Sequence, residues 1–204
     1  MTDTIADQLS HIIQARRSVK PRRFNGKPIE DKLIWQLLEN ANWAPNHGKA
    51  QPWRFFVFTA DGLNRLARFQ ADLYQQLTPE AEFSADKYAR MKTNVLKSSH
   101  VIVLGMTRKL AAIPEVEDIE AVACSVQNMM LTAAAQGICS FWGSGGVTYT
   151  DELKGFLGLE PSDRCLGYLY LGYSDDPSPE GKRSPVGERV VWIDSDVEEN
   201  AAGA

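Results

Sequence analysis

The stretch APNHGKAQPWRFFVFT spans residues 44–59 and places a polar loop directly before an apolar segment. The apolar half is aromatic and β-branched, and Pro52 and Gly62 bound it, which predicts a β-strand from Trp53 to Thr59. We expect this strand to be buried on both faces. The amide, imidazole and ammonium groups of the loop then face a cleft or, if this is an ordinary helix-to-strand connection, the solvent.

Hydrophobic periodicity extends this pattern along the rest of the chain. It predicts a first helix that starts at a capping box of Thr4 and Asp7 and ends near Arg16, and a long helix that reaches Gln136 and ends at Gly137. The stretch 79–97 has only weak periodicity, so we expect a mobile excursion without catalytic residues. The remaining helices are expected within residues 33–41, 63–73 and 151–157, and further strands at 101–106, 139–142, 165–171 and 189–193.

The order of these elements lacks the regular alternation of strand and helix that a doubly wound sheet requires, which predicts an α+β fold. A chain of 204 residues without an internal repeat fits a single domain, residues 1–204, with a frayed acidic tail at 194–204. Small residues flank the apolar stripe of the long helix, so this helix suits the centre of a dimer. The stripe consists of Ile119, Val122, Val126, Met130 and Ala133.

Composition excludes several classes of protein. Hydrophobic residues make up 44% of the chain and charged residues 24%, as in ordinary globular domains. The net charge of −4 provides no basic excess for a nucleic acid or an anionic membrane. No signal sequence and no run of about eighteen apolar residues is found, which predicts a cytoplasmic protein. Cys124, Cys139 and Cys165 lack paired metal spacing and are expected to be free thiols in the core.

Three further segments concentrate groups that can bind an anion or a ring system. Residues 16–18, Arg-Arg-Ser, place two guanidinium groups and a hydroxyl at a helix end, although such a basic pair also favours the helix macrodipole. The segment WGSGG at 142–146 exposes backbone N–H groups after a strand, or is simply a glycine-rich turn. The basic pair at 182–183 lies in a proline-rich connection and either reaches a phosphate or is solvated.

Motif spacing also removes other kinds of site from consideration. WGSGG lacks the pattern G-x-G-x-x-G, and no strand ends in an acidic residue about 20 residues further on, which excludes the Rossmann and P-loop motifs. His11 and His100 have no partner at metal-ligand spacing, and neither Ser nor Cys occurs in a nucleophile elbow. The sequence therefore gives no support to a metalloenzyme or a hydrolase.

Together, residues 16–18, 44–53, 142–146 and 182–183 resemble the nitroreductase family in their order and spacing. The histidine in the loop is closest to the smaller, divergent branch of that family. The resemblance implies a mixed β-sheet flanked by helices and a homodimer with intertwined termini. It also implies that FMN binds in two pockets at the dimer interface.

The resemblance assigns roles around FMN to individual residues. Arg16, Arg17 and Ser18 would contact its phosphate, ribityl chain and ring, and Arg183 would bind the phosphate. Many members have Ser and Asn where this chain has Asn46 and Lys49, so Lys49 is the candidate to replace the usual amide contact and to stabilise reduced flavin. The other ring contacts implied are His47 and Gln51 from the partner subunit, and Trp142, Gly143, Ser144 and Gly145.

The activity implied is hydride transfer from NADH or NADPH to FMN, and then to a small organic acceptor, in a ping-pong sequence. A nitroaromatic, a quinone or an enone would serve as the acceptor. Because the cofactor supplies the reactivity, no catalytic acid or base is expected among the residues named. Three alternatives stay open: a protein that stores or carries FMN, a flavin enzyme that does not use NAD(P)H, and a scaffold that binds no flavin.

Overall fold

The computed structural model describes residues 4–110 and 112–193, so the predicted frayed tail at 194–204 lies outside the described residues. Helices and strands follow one another without a regular βα repeat, which confirms the predicted α+β class. The helices of the described part are α1 Ile5–Ala15, α2 Asp31–Ala41, α3 Asp61–Leu77, α4 Ala85–Leu96, α5 Glu115–Ala135 and α6 Asp151–Leu157. Its strands are β1 Trp53–Phe58, β2 His100–Met106, β3 Cys139–Gly143 and β4 Arg164–Gly172.

The four strands form one sheet in the order β1-β2-β4-β3, with antiparallel ladders throughout. A parallel bridge joins Ser18 to Ser140 at the β3 edge and makes the sheet mixed, as predicted. β2 is central and buried along its whole length, whereas β1 pairs with β2 alone. The prediction that β1 is buried on both faces is wrong, because this edge strand is only partly covered and Val57 is 40% exposed.

Apolar layers cover both faces of the sheet. Helices α2 and α5 pack on the face that carries Ile102 and Leu104, and α3 packs on the face that carries Val101 and Val103. This alternation follows from the two-residue period of a strand. In the predicted stripe of α5, Val122, Val126, Met130 and Ala133 are buried, whereas Ile119 is 37% exposed.

The start of α1 and the end of α5 have the capping residues that the sequence predicts. Thr4 and Asp7 form the predicted capping box of α1, with the Asp7 backbone N–H donating to Thr4 Oγ1 over 3.1 Å. Gly137 follows α5 with a φ of 69°, a left-handed conformation that glycine adopts without strain. No helix within residues 4–110 or 112–193 is long and apolar enough to cross a membrane.

Three other predictions differ from the structure. The stretch 79–97 is not an irregular excursion but contains α4, whose periodicity is weak because it buries only Val95 completely. The strand predicted at 189–193 is absent. A short 3-10 helix, Val186–Arg189, is followed by residues 190–193, which pair with no strand in the described part of the chain. Cys124 is exposed rather than in the core, while Cys139 is half-buried and Cys165 is buried.

Candidate functional site

A cleft opens between α4 and the β3 edge of the sheet. It has a volume of about 580 Å³, and its walls include Lys20, Arg22, Arg90, Asn94 and Phe141. A smaller cavity of about 210 Å³ shares Arg90, Asn94 and Phe141 with it and continues beneath the glycine-rich loop that follows β3. We call the two together the α4 cleft.

The α4 cleft carries positive charge. Lys20, Arg22, Lys87 and Arg90 line it, against one acidic side chain, Asp86. Within the described ranges, the side chains of Lys20, Arg22 and Arg90 form no ion pair. These cations are therefore available to an anion or to a ring on which negative charge develops.

The floor of the smaller cavity carries two tyrosines of β4. Burial raises the pKa of Tyr170 to about 12, and it raises the pKa of Tyr168 even further above its ordinary value. Both hydroxyls stay protonated at neutral pH and can donate a hydrogen bond.

A second pocket, of about 350 Å³, lies where α1 ends beside β3, and Arg16 and Arg17 both line it. Arg17 is occupied, because its Nε donates to the Pro179 carbonyl oxygen over 3.1 Å and its Nη1 to the Arg16 carbonyl oxygen over 2.8 Å. Arg16 is different: its Nη1 is buried and has no hydrogen-bond partner among the described residues. A buried guanidinium atom without a partner suits an anionic ligand such as a phosphate.

The end of β3, where the glycine-rich loop begins, is held close to β4. Trp142 Nε1 donates to the Leu166 carbonyl oxygen over 3.0 Å. Gly167 makes this approach possible, because a β-carbon at this position would lie 2.6 Å from the Gly143 carbonyl oxygen. Gly143 and Gly145 line the α4 cleft, while Ser144 between them is exposed.

The helix-to-strand loop has a strained backbone. Lys49 and Gln51 have positive φ angles of 56° and 45°, which non-glycine residues rarely adopt and which often mark functional positions. Asn46 Oδ1 accepts from the Gln51 backbone N–H over 3.0 Å, and His47 Nδ1 lies 2.6 Å from Glu117 Oε2. The side chains of His47, Lys49 and Gln51 are exposed.

Within one chain these segments lie at opposite edges of the sheet. Residues 16–18 and 142–145 flank β3, whereas residues 47–51 precede β1, and β2 and β4 lie between the two edges. Three strand spacings separate the edges by about 14 Å. Arg183 is exposed on the C-terminal connection, and among the described residues its side chain bonds only to the Lys182 carbonyl oxygen.

The basic face of α4 was not predicted from the sequence. Lys87, Arg90 and Asn94 line the α4 cleft, whereas the sequence predicted only that residues 79–97 contain no catalytic residue. Their spacing could have predicted a shared face, because positions three and four residues apart lie on the same side of a helix. Lys20, two residues beyond the Arg-Arg-Ser segment, was missed in the same way.

The family profile of the nitroreductases matches residues 13–173, and this chain belongs to the nitroreductase family. Among its relatives is YfhC of Bacillus subtilis, provisionally named an NAD(P)H nitroreductase, which is 28% identical over 90% of this chain and 93% of its own length.

Solved structures support the same fold. A nitroreductase-like family protein from Bacillus cereus is 31% identical, with a TM-score of 0.81 over 96% of this chain and 100% of that one. NfnB from Mycobacterium smegmatis, an FMN-dependent nitroreductase crystallised with NADPH, is 19% identical, with a TM-score of 0.75 over 93% of this chain and 100% of its own.

Proposed function

We propose that this chain is an FMN-dependent oxidoreductase of the smaller nitroreductase branch. It transfers hydride from NAD(P)H through bound FMN to a small organic acceptor, a nitroaromatic, a quinone or an enone, by a ping-pong mechanism. The observation that carries the proposal is the buried, unpaired Nη1 of Arg16 beside a cationic cleft, in a chain of the nitroreductase family. The names of YfhC and NfnB support the choice of cofactor and reductant.

The residues at the β3 edge fit a phosphate-bearing cofactor. Arg16 would donate a charge-assisted hydrogen bond to the FMN phosphate, with Arg183 as a second phosphate ligand. Ser18, exposed next to the bridge with Ser140, would contact the ribityl chain. Arg17 would act mainly by fixing the C-terminal connection through the Pro179 carbonyl oxygen. FMN, when bound, supplies the reversible hydride transfer that side chains lack.

The α4 cleft would hold the ring. Trp142 and the backbone of Gly143, Ser144 and Gly145 would lie along it, since the missing side chains of the glycines permit close approach. Arg90 and Lys20 would stabilise negative charge on the reduced ring, a role that the sequence alone assigned to Lys49. No side chain acts as a general acid or base in this proposal, because the cleft is open to water.

The proposal requires a homodimer with intertwined termini. His47, Lys49 and Gln51 lie about three strand spacings from the glycine-rich loop, so they would reach the ring only from a partner subunit. The unpaired edge of β1 and a groove of about 470 Å³ between β1 and α2 form one half of the contact. The other half is the exposed apolar segment of the C-terminal connection, Val190, Val191, Trp192 and Ile193.

Steady-state kinetics test the proposal. Initial rates measured against NADPH at several fixed concentrations of a quinone should give parallel double-reciprocal lines, because the oxidised nucleotide leaves before the acceptor binds. Converging lines would rule out the ping-pong sequence. Bound FMN without any NAD(P)H oxidation would instead favour a protein that stores or carries the cofactor or a flavin enzyme that does not use NAD(P)H.

A further inference from the structure

Two polar side chains are buried without partners beneath the glycine-rich loop. Gln70 on α3 and Tyr168 on β4 are each only 2% exposed. Gln70 Nε2 and the Tyr168 hydroxyl have no hydrogen-bond partner among the described residues. Both line the smaller cavity of the α4 cleft, whose rim is formed by Gly143, Gly145 and Gly146.

Their surroundings make this arrangement unusual. On α3, Leu66 and Leu73 lie one turn to either side of Gln70 and are buried in apolar clusters. An unpaired polar group in such a setting destabilises the fold, because it has given up its hydrogen bonds to water without a replacement. Gln70 lies near both cavity tyrosines and Thr148 lies near Tyr168, and these neighbours oppose the rise that burial causes in the pKa of the tyrosines. Neither Gln70 Nε2 nor the Tyr168 hydroxyl, however, lies within hydrogen-bond distance of a partner among the described residues. A ligand with complementary atoms would satisfy both groups.

The chemistry of the two side chains selects the ligand group. A glutamine amide donates through Nε2 and accepts through Oε1, so it pairs with a group that presents a carbonyl oxygen next to an N–H. The protonated Tyr168 hydroxyl adds a second donor. The pyrimidine edge of a flavin ring is an imide, O=C–NH–C=O, and matches this pattern. Nitroaromatics and quinones lack the N–H.

The size and position of the cavity agree with this choice. A volume of about 210 Å³ admits one edge of a three-ring system and excludes the whole ring system together with its ribityl chain. Its mouth is formed by the loop against which the proposed function places the flavin. We propose that Gln70 and Tyr168 form a subsite for the imide edge of FMN, an inference that rests on the proposed function.

The test compares the affinities of the apoprotein for FMN and for N3-methyl-FMN, measured by quenching of flavin fluorescence. The wild-type protein should prefer FMN roughly 10-fold, since methylation removes the N3–H that Gln70 Oε1 accepts. Gln70→Met should reduce this preference to nearly one. Tyr168→Phe should weaken both flavins about equally, roughly 5-fold. Gln75→Met, an exposed glutamine of the same helix, is the matched control and should behave like the wild type.

Persistence of the preference for FMN in Gln70→Met, or its absence from the wild type, would overturn the inference while leaving the proposed function intact. Unchanged affinities in Tyr168→Phe would overturn the role of the tyrosine, and this variant also serves if Gln70→Met does not fold. A wild-type protein that binds neither flavin would instead remove the proposed function, and this subsite with it.

Discussion

Arg16 and Arg17 are neighbours in the chain, but the fold gives them different surroundings. Arg17 donates to carbonyl oxygens of the α1 end and of Pro179, whereas Arg16 keeps a buried Nη1 unpaired. The sequence presents two identical side chains, and only the path of the C-terminal connection decides which of them is occupied. Arg16 is therefore the stronger candidate for a phosphate ligand.

The phosphate site is tested with Arg16→Ala and Arg183→Ala. Each variant should lose a charge-assisted hydrogen bond of about 1.5–3 kcal/mol, which corresponds to roughly 10- to 150-fold weaker FMN binding in equilibrium dialysis. Riboflavin has no phosphate, and its affinity should barely change.

Arg189→Ala is the matched control, because Arg189 lies on the same connection and already contacts Ser184. Added salt should weaken FMN binding to the wild type more than to Arg183→Ala, since salt screens an exposed charge pair. Equal losses for FMN and riboflavin would show that the arginine in question supports the fold or touches the ring.

Gly167 offers a second test at the residue scale. Its φ of 127° and the Gly143 oxygen 2.6 Å from a built β-carbon leave no room for a side chain. Gly167→Ala should therefore lower the free energy of unfolding by about 1–3 kcal/mol, measured by urea denaturation. Gly155→Ala in α6 is the control: nothing lies within 4 Å of its β-carbon, and alanine should stabilise the helix by up to about 1 kcal/mol. Equal effects would contradict the close approach described for β3 and β4.

Among the helices and strands, the sequence predicts best those that bury either one face or their whole surface. The capping box of α1, the buried strand β2 and the glycine behind α5 carry local signals that tertiary contacts do not override. α4 escaped prediction as a site element because it buries little and its basic face points to the cleft. The segment 189–193 has the composition of a strand but no partner in its own chain, and composition does not report pairing.

His100, at the start of β2, makes stability depend on pH. Burial lowers its pKa, opposed by Asp31, whose carboxylate lies 3.3 Å from Nε2. In the unfolded chain the imidazole has a pKa near 6.5, whereas in the folded protein its pKa is lower. As the pH falls through this range, the unfolded state takes up the proton first, so the free energy of unfolding decreases. The free energy of unfolding should fall between pH 8 and pH 5.5, by at most about 1.4 kcal/mol per unit from this group.

Urea denaturation of wild type and His100→Gln across this range measures the effect. The variant should show a smaller loss on acidification than the wild type. His11→Gln, at an exposed position on α1, should keep the wild-type slope. Identical pH dependence in all three proteins would contradict a buried, neutral His100.

At the scale of the whole molecule, the groups that resemble a flavin site are divided between two sheet edges. Among the residues that the structure describes, none covers the exposed side chains of Val191, Trp192 and Ile193 or the open edge of β1. A proposed second subunit explains both features, because the segment of one copy would lie along β1 of the other. The sequence shows that the segment is apolar, but it does not show where the segment binds, because the proposed binding surface is formed only when α2 and β1 pack together.

Val191→Ser combined with Trp192→Ser tests this contact. Both side chains would be buried in the proposed dimer, so their replacement should weaken the dimer at least about 10-fold, measured by sedimentation at decreasing concentration. FMN binding should weaken in parallel, because the loop of the partner would be lost. Trp43→Ser replaces an equally exposed tryptophan elsewhere and should leave the dimer unchanged. A stable wild-type monomer that retains FMN would contradict the intertwined arrangement.

This chain is proposed to bind FMN and to reduce it with a pyridine nucleotide. The most direct measurement is an anaerobic titration of the FMN-loaded protein with NADH and NADPH, followed by visible absorption. At least one nucleotide should bleach the oxidised flavin band with one equivalent per FMN, and a quinone added afterwards should restore it. A flavin band that stays unchanged with both nucleotides, in protein that dithionite still reduces, would contradict the claim.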